Sequence, residues 1–242
     1  MGNRYLIWVK NNLNPYKRQL IRKYFVNIFH PIIHFNLNTL SDLYGSDKSN
    51  KHGYTTFYET HFSHLKRKRI SLLEIGVGGY EDPKLGGASL RMWKKYFRHG
   101  FIYGIDIYDK GNIDEPRIKT FVCSQTDEIR LKNILKGINA LDIIIDDGSH
   151  NNNDVINTFN ILFPLLKDGG YYAIEDVHTS YRDGYSGDSK NLYNNTTIMN
   201  YFKILCDFPN IDFIDNSKID NKLLELKIKS IHFYRGLIII NK

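Results

Sequence analysis

From Ile70 onward, short apolar runs alternate with amphipathic segments, and this alternation constrains the fold more than any other feature of the sequence. The runs are five or six residues long and rich in β-branched or aromatic residues, as is typical of buried strands. They lie at 70–75, 101–105, 118–122, 141–145 and 170–174. Helices are predicted between them, at about 88–97, 127–136 and 153–163. Strands that alternate with helices predict an α/β fold with a mostly parallel sheet covered on both faces.

Outside this alternating part, the sequence predicts three further features. The apolar run 231–240 predicts a closing strand, paired antiparallel with a strand near 211–215. The polar stretch 41–53 predicts a loop or lid, followed by a short helix over 55–65. Residues 1–40 are interpreted as a basic, partly helical N-terminal segment, so that 41–242 forms the main domain.

The net charge of +7 is concentrated at the start of the chain. No acidic residue precedes Asp42, whereas six basic residues do. They are Arg4, Lys10, Lys17, Arg18, Arg22 and Lys23. We interpret this segment as a solvated basic helix packed on the main domain; the alternative is peripheral contact with an anionic membrane, a polyanion or an acidic subunit. Because the rest of the chain is nearly neutral, the composition does not favour a nucleic-acid partner.

Cysteine content and hydropathy predict a soluble, cytoplasmic protein. Only Cys123 and Cys206 occur, too few for a disulfide framework and without the spacing of a CxxC metal site. The apolar stretch 24–35 is interrupted by Asn27 and Pro31, so it lacks the continuous core of a signal peptide. It is also shorter than the roughly 20 residues that span a bilayer.

A glycine turn directly follows the first predicted strand and indicates a nucleotide-like ligand. The turn contains Gly76, Gly78 and Gly79 in a Gly-x-Gly-Gly pattern, which differs from the pyrophosphate fingerprint Gly-x-Gly-x-x-Gly. Glu74 precedes it, placed to meet a cationic amino group, and Asp106 ends the second strand, placed to bind ribose hydroxyls. These features favour S-adenosylmethionine over a dinucleotide without excluding the latter.

A long loop separates this turn from the next helix and ends at Ser89. Ser89 either caps that helix or, together with Gly86 and Gly87, folds over the donor. The two roles do not exclude each other, because a residue at the start of the helix can also contact the donor.

Acidic residues follow two successive strands. Asp147 comes after the fourth strand, and Glu175 and Asp176 after the fifth. Ligands bind beyond the carboxyl ends of strands in open α/β sheets, so these carboxylates are expected to converge. Three adjacent carboxylates repel one another unless a cation neutralises them, and oxygen ligands suit Mg²⁺, Mn²⁺ or Ca²⁺ rather than zinc.

His150 lies three residues beyond Asp147, at the predicted rim of this site. A metal lowers the pKa of a bound hydroxyl, and a nearby imidazole then accepts the proton. His150 is therefore the candidate general base. His52, His61 and His178 carry no comparable signal, because ordinary surface or core histidines would look the same.

Four segments together resemble one family. EIGVGGYEDPKLGGASLRMWKKYF, GIDIYDK, IIIDDGSH and YYAIEDVHTSY are similar to the metal-dependent macrolide-sugar O-methyltransferases of mycinamicin and tylosin (demethylmacrocin) biosynthesis. The upstream GSDKSNKHGYTTFYETHF and the terminal IHFYRGLIIINK also resemble that family, so the match covers roughly 41–242.

The resemblance implies a Rossmann-like class I methyltransferase domain over 41–242, with a mostly parallel seven-stranded sheet and an antiparallel C-terminal strand. It implies Asp147, Glu175 and Asp176 as metal ligands, His150 as general base, and S-adenosyl-L-methionine and Mg²⁺ (or Mn²⁺) as cofactors. The positions that match the donor site are Glu74, Gly76, Val77, Gly78, Gly79, Tyr80, Ser89, Asp106, Cys123, Ser124, Gln125 and Asp147.

The macrolide enzymes carry a long additional N-terminal domain, whereas a basic segment of some forty residues precedes the similar part here. We therefore expect a different acceptor, namely a sugar hydroxyl on a nucleotide-linked or surface-polysaccharide precursor, and a homo-oligomer without nucleic acid. Three alternatives remain: an NAD-dependent Rossmann sugar-modifying oxidoreductase, a nucleic-acid methyltransferase, and a relative with different or no catalysis, such as a hydroxylase.

Overall fold

A computed structural model of the chain describes residues 35–138, 140–215 and 225–242, with a few isolated positions before residue 35. Most of the predicted basic segment therefore lies outside the described residues. Helix α1 (Leu37–Tyr44) runs across the predicted boundary at residue 40, and the division of the chain there stays a prediction.

Seven strands form one sheet in the described part of the chain. They are β1 (Ser71–Ile75), β2 (Phe101–Asp106), β3 (Ile118–Val122), β4 (Leu141–Asp146), β5 (Leu166–Glu175), β6 (Ser230–Tyr234) and β7 (Leu237–Asn241). The strand order is β3-β2-β1-β4-β5-β7-β6. Strands β1 to β5 are parallel, and β7 is antiparallel to both of its neighbours. The prediction of a mostly parallel sheet with an antiparallel C-terminal strand is confirmed.

Helices cover both faces of this sheet. Besides α1 they are α2 (Tyr54–Phe62), α3 (Ala88–Tyr96), α4 (Glu128–Lys136), α5 (Asn152–Leu162) and α6 (Ile198–Ile204). Trp93 and Tyr58 are buried in the apolar cluster on one face, and Phe159 and Phe202 in the cluster on the other. None of the helices in the described part of the chain has the length and apolar character needed to cross a bilayer.

The C-terminal run differs from its prediction. The run 231–240 is two strands, because Arg235 and Gly236 form a tight turn in which Gly236 has a φ of 74°. Its predicted partner near 211–215 is wrong, since residues 211–213 belong to the 3-10 segment Leu205–Phe213. The run pairs with itself, as a hairpin, and β7 pairs with β5. Only Arg235 and Gly236 interrupt the apolar pattern, which therefore concealed the turn.

Upstream of the sheet, the predicted loop over 41–53 begins later than expected. Residues 41–44 are the last part of α1, which ends at Gly45 in the left-handed region, and turns lead from there to α2. The predicted helix over 55–65 is confirmed as α2 followed by the 3-10 turn Ser63–Leu65.

The carboxyl ends of β1, β2, β4 and β5 lie at one edge of the sheet. The strand order reverses beside β1, since β1 pairs with β2 on one side and β4 on the other. Crevices at such reversals are the usual ligand sites of open α/β sheets. The glycine turn and the acidic strand ends therefore face the same crevice.

Candidate active site

The glycine turn packs tightly against the end of β4. Gly76 has a φ of 87°, and its amide donates to the carbonyl of Ile105 at 2.8 Å. A Cβ built on Gly76 would collide with the backbone carbonyl of Asp147. A side chain is therefore excluded here, and the turn offers the close backbone approach that a donor site needs.

Asp106 holds this turn in place. Its Oδ2 accepts a hydrogen bond from the Val77 amide at 2.9 Å, and its Oδ1 accepts one from the Tyr108 amide at 3.0 Å. The carboxylate is half-buried at the end of β2, beside the crevice. The predicted contact of Asp106 with ribose stays a prediction. Independently of that contact, Asp106 holds the glycine turn through the Val77 amide.

The long loop after the turn is anchored by a buried lysine. Lys110 is 1% exposed, and its ammonium donates to the carbonyl of Asp82 at 2.9 Å and to that of Tyr80. The Tyr80 side chain itself is exposed. Ser89 does not cap α3, because the cap is Gly87 and no side chain bonds there. The capping interpretation of Ser89 is therefore wrong, and its predicted donor role stays a prediction.

Gln125 connects two loops at the rim of the crevice. Its Nε2 donates to Thr158 Oγ1 at 3.0 Å and lies 3.3 Å from Asp146 Oδ1, and its Oε1 accepts from the Ser149 amide at 2.7 Å. Ser124 beside it is exposed. Gln125 thus fixes the loop that follows β4, and the predicted donor contacts of Ser124 and Gln125 stay predictions.

A buried lysine joins the acidic residues of the crevice. Lys48 is 1% exposed, and its Nζ lies 2.7 Å from Asp147 Oδ2, 2.6 Å from Glu175 Oε1 and 3.1 Å from Glu74 Oε1. Burial alone would lower the pKa of Lys48, but the three carboxylates raise it well above its ordinary value. The predicted convergence of Asp147 and Glu175 occurs, with an internal cation between them.

Glu74 is the most buried of these carboxylates, with no exposed surface. Burial raises its pKa, and Lys48 only partly offsets that rise. Its polar neighbours among the described residues are Lys48, whose ammonium lies 3.1 Å from Oε1, and Ser89, whose hydroxyl also lowers its pKa; neither contact has good hydrogen-bond geometry. The two buried Glu74 oxygens, which lie next to the glycine turn, can therefore accept hydrogen bonds from the ammonium of S-adenosylmethionine.

Glu175 faces inward rather than toward the crevice opening. Its Oε1 accepts a hydrogen bond from the Tyr58 hydroxyl at 2.6 Å in addition to the contact with Lys48. Burial, followed by the charge of Asp147, raises the pKa of Glu175 well above its ordinary value. Its role as a metal ligand stays a prediction.

Around the crevice opening, Asp147 converges with two further side chains, His150 and Asp176. Asp147, His150 and Asp176 each offer one ligand atom, all within 4.8 Å of one another. His150 Nε2 lies 3.9 Å from Asp147 Oδ1 and 3.8 Å from Asp176 Oδ2, too far for hydrogen bonds. The two carboxylates supply the oxygen ligands that a hard divalent cation such as Mg²⁺ or Mn²⁺ prefers, and the imidazole lies beside them, where it can accept a proton.

Two of these residues have an unusual backbone. His150 and Asp176 have φ values of 55° and 53°, in the left-handed region. This conformation costs about 1 kcal/mol or more for residues other than glycine and is concentrated at functional sites.

A second layer of side chains surrounds Asp176. The Tyr54 hydroxyl donates to its Oδ1 at 2.7 Å, and Nδ1 of His52 and of His178 lie 3.4 and 3.9 Å from the same oxygen. Burial alone would raise the pKa of Asp176, but the Tyr54 hydrogen bond and the neighbouring imidazoles bring it below its ordinary value. Asp176 is therefore held ionised.

Comparison with known proteins finds methyltransferases similar to this chain. No family model matches the chain. The chain is 40% identical over 200 residues to an 8-demethyl-8-alpha-L-rhamnosyl tetracenomycin-C 2'-O-methyltransferase of Streptomyces olivaceus, a match that covers 82% of the chain and 52% of that relative. It is 38% identical over 209 residues to demethylmacrocin O-methyltransferase of Streptomyces fradiae, covering 86% and 53%. Over the matched region, the chain is therefore similar to O-methyltransferases that act in antibiotic biosynthesis.

A solved methyltransferase structure confirms the fold. The MycE methyltransferase from the mycinamycin biosynthetic pathway, in complex with Mg, SAH and mycinamycin VI, matches with a TM-score of 0.78 at 37% identity. The match covers 86% of this chain and 54% of that one. The Rossmann-like class I methyltransferase fold is thus confirmed. The chain spans about half the length of the curated relatives that it matches.

Sequence reasoning missed the residues that reach this site from distant parts of the chain. Lys48 precedes Asp147 by 99 positions, and Tyr54 precedes Asp176 by 122. The only sequence signal was that the segment containing Lys48 and Tyr54 resembles the macrolide-sugar O-methyltransferases. That resemblance assigned no role to either residue.

Proposed function

We propose that the chain transfers a methyl group from S-adenosylmethionine to a sugar hydroxyl, assisted by Mg²⁺ or Mn²⁺. The observation that carries this proposal is the group formed by Asp147, His150 and Asp176, which opens next to the glycine turn at Gly76. The named relatives are sugar O-methyltransferases, and the solved relative is a complex with Mg and SAH, which supports the same chemistry here.

Each residue has a distinct task in this proposal. Asp147 and Asp176, with Glu175 as the further predicted ligand, hold the cation, and Glu74 binds the donor's ammonium. His150 Nε2 accepts the proton of the acceptor hydroxyl. The cation, when bound, lowers the pKa of that hydroxyl and balances the carboxylate charge.

The methyl transfer follows from this arrangement. A bond forms between the acceptor oxygen and the donor's methyl carbon while the bond between that carbon and sulfur breaks. The electron pair of the broken bond stays on sulfur, which becomes neutral, and the hydroxyl proton goes to His150. The protein contributes mainly alignment and the placement of charge.

The acceptor proposed is a sugar on a nucleotide-linked or surface-polysaccharide precursor. The relatives are named for antibiotics, one of which carries a rhamnosyl group, so they support a small sugar-bearing acceptor but do not extend to a nucleotide or polysaccharide carrier. The homo-oligomeric state, the cytoplasmic location and any membrane contact of residues 1–40 stay predictions.

The test is a transfer assay with labelled S-adenosylmethionine and a panel of nucleotide-sugars. Transfer is expected with Mg²⁺, is expected to stop in excess chelator and to return when Mg²⁺ is restored. Full activity in excess chelator would contradict the role of the metal. Calorimetry provides a second measurement: binding of S-adenosylhomocysteine is expected, whereas binding of NAD alone would favour the oxidoreductase.

A further inference from the structure

A cavity of about 490 Å³ opens beside the proposed metal centre. Its lining residues are Lys51, His52, Tyr54, His178, Arg235 and Gly236. Three of them, His52, Tyr54 and His178, also contact Oδ1 of Asp176. The volume is within the range of small-molecule sites and is sufficient for a monosaccharide with an attached group.

The lining of this cavity is cationic. Lys51 and Arg235 are basic, and none of the lining residues is acidic. Lys51 lies 3.5 Å from Asp47, but both side chains are more than half exposed, so this pair is weak. No carboxylate within 35–138, 140–215 or 225–242 forms an ion pair with Arg235.

Arg235 reaches the cavity from the hairpin turn between β6 and β7. The turn is fixed against the site, because the carbonyl of Gly236 accepts from the Val177 amide at 3.2 Å. A Cβ on Gly236 would lie 2.7 Å from the Tyr54 hydroxyl, which leaves no room for a side chain there. The guanidinium is therefore carried by an anchored turn.

The two oxygens of Asp176 relate the cavity to the reaction centre. Oδ1 contacts the lining side chains, whereas Oδ2 faces His150 at 3.8 Å. A methyl-acceptor molecule whose hydroxyl reaches His150 would place its remaining atoms on the Oδ1 side of Asp176, in the cavity.

We infer that this cavity binds an anionic group of the acceptor, a phosphate or a carboxylate next to the methylated sugar, through Arg235 and Lys51. This inference rests on the proposed function and specifies its substrate class. A guanidinium pairs with either anion through two parallel hydrogen bonds, and a lysine adds a point charge. The anion has two chemical sources: the diphosphate of a nucleotide-linked sugar or the carboxylate of a uronic acid.

The experiment is calorimetry on the full chain loaded with Mg²⁺ and S-adenosylhomocysteine. The probes are UDP-glucose, glucuronate and the neutral methyl glucoside. We expect UDP-glucose or glucuronate to bind at least about tenfold more tightly than methyl glucoside, since hydrogen bonds to charged groups are the stronger kind. A preference for UDP-glucose identifies the diphosphate as the source, and a preference for glucuronate identifies the uronic acid.

Two variants test the assigned side chains independently. Arg235→Ala and Lys51→Ala are each expected to weaken binding of the anionic probe about tenfold and to leave methyl glucoside unchanged. Lys132→Ala, which removes a partly exposed lysine of α4, is the charge-matched control and is expected to change neither. Equal affinity for neutral and anionic probes, or two variants indistinguishable from the control, would overturn the inference. Failure of the proposed function is a separate result, seen as absent binding of S-adenosylhomocysteine.

Discussion

Replacing Lys48 by methionine removes the internal cation of the site while nearly conserving the volume of the side chain. Its ammonium lies within 3.1 Å of three carboxylates, and the residue is 1% exposed. Removing one partner of a buried ion pair costs about 3–5 kcal/mol, because the other charge stays buried without compensation. For a chain of this length, each kcal/mol corresponds to about 2–4 °C, so we expect the melting temperature to fall on the order of 10 °C.

The assay is differential scanning calorimetry in excess chelator and again with Mg²⁺. The matched control is Lys51→Met, three residues further along the same turn, where the lysine is 68% exposed and the expected shift is less than about 3 °C. Mg²⁺ is expected to stabilise Lys48→Met more than the unmodified chain, since it balances carboxylates that have lost their lysine. Equal melting temperatures for the two variants in chelator would refute the reasoning.

Three further predictions concern other parts of the molecule. His150→Ala is expected to lower turnover roughly 10²–10⁴-fold while calorimetry shows unchanged binding of S-adenosylhomocysteine; an unchanged rate would remove His150 from the mechanism. Gly76→Ala is expected to lower the free energy of unfolding in urea titrations and to abolish donor binding, because the added Cβ collides with the Asp147 carbonyl. The control is Gly53→Ala, which is also at positive φ but in open space, and which is expected to lower the free energy of unfolding by only about 1 kcal/mol. Burial, with smaller contributions from neighbouring histidines, lowers the pKa of His61 to about 4. Between about pH 6.5 and 4, the unfolded chain then binds a proton at His61 that the folded chain does not, so the free energy of unfolding falls on acidification. In urea titrations at pH 7 and 4.5, His61→Gln is expected to lose less unfolding free energy than the unmodified chain.

The parallel part of the sheet was predictable because its strands are short, β-branched and separated by helices. The predictions of α3, α4 and α5 hold to within a residue or two for the same reason. The hairpin over 231–240 was not predictable from hydropathy, because Arg235 and Gly236 interrupt the run by only two positions. A turn that short is set by backbone conformation, to which an apolar pattern is insensitive.

For the site, strand order made the convergence of Asp147 with Glu175 and Asp176 predictable. The sequence could not show that Glu175 would turn inward to Lys48, because a lysine in a polar loop is ordinarily solvated. Burying it requires several carboxylates at once, a condition that depends on long-range packing. For that reason local sequence patterns predicted the acidic residues and missed the cation between them.

The left-handed backbone at His150 and Asp176 limits what evolution or engineering can place at either position. Asparagine, aspartate, histidine and glycine tolerate that conformation, whereas valine or isoleucine do not. In a library randomised at both positions, folded members should be enriched in these four types even under selection for solubility alone. Substitutions at positions 150 and 176 would therefore be confined to a few residue types by the backbone conformation, and selection for catalysis would act only among those types.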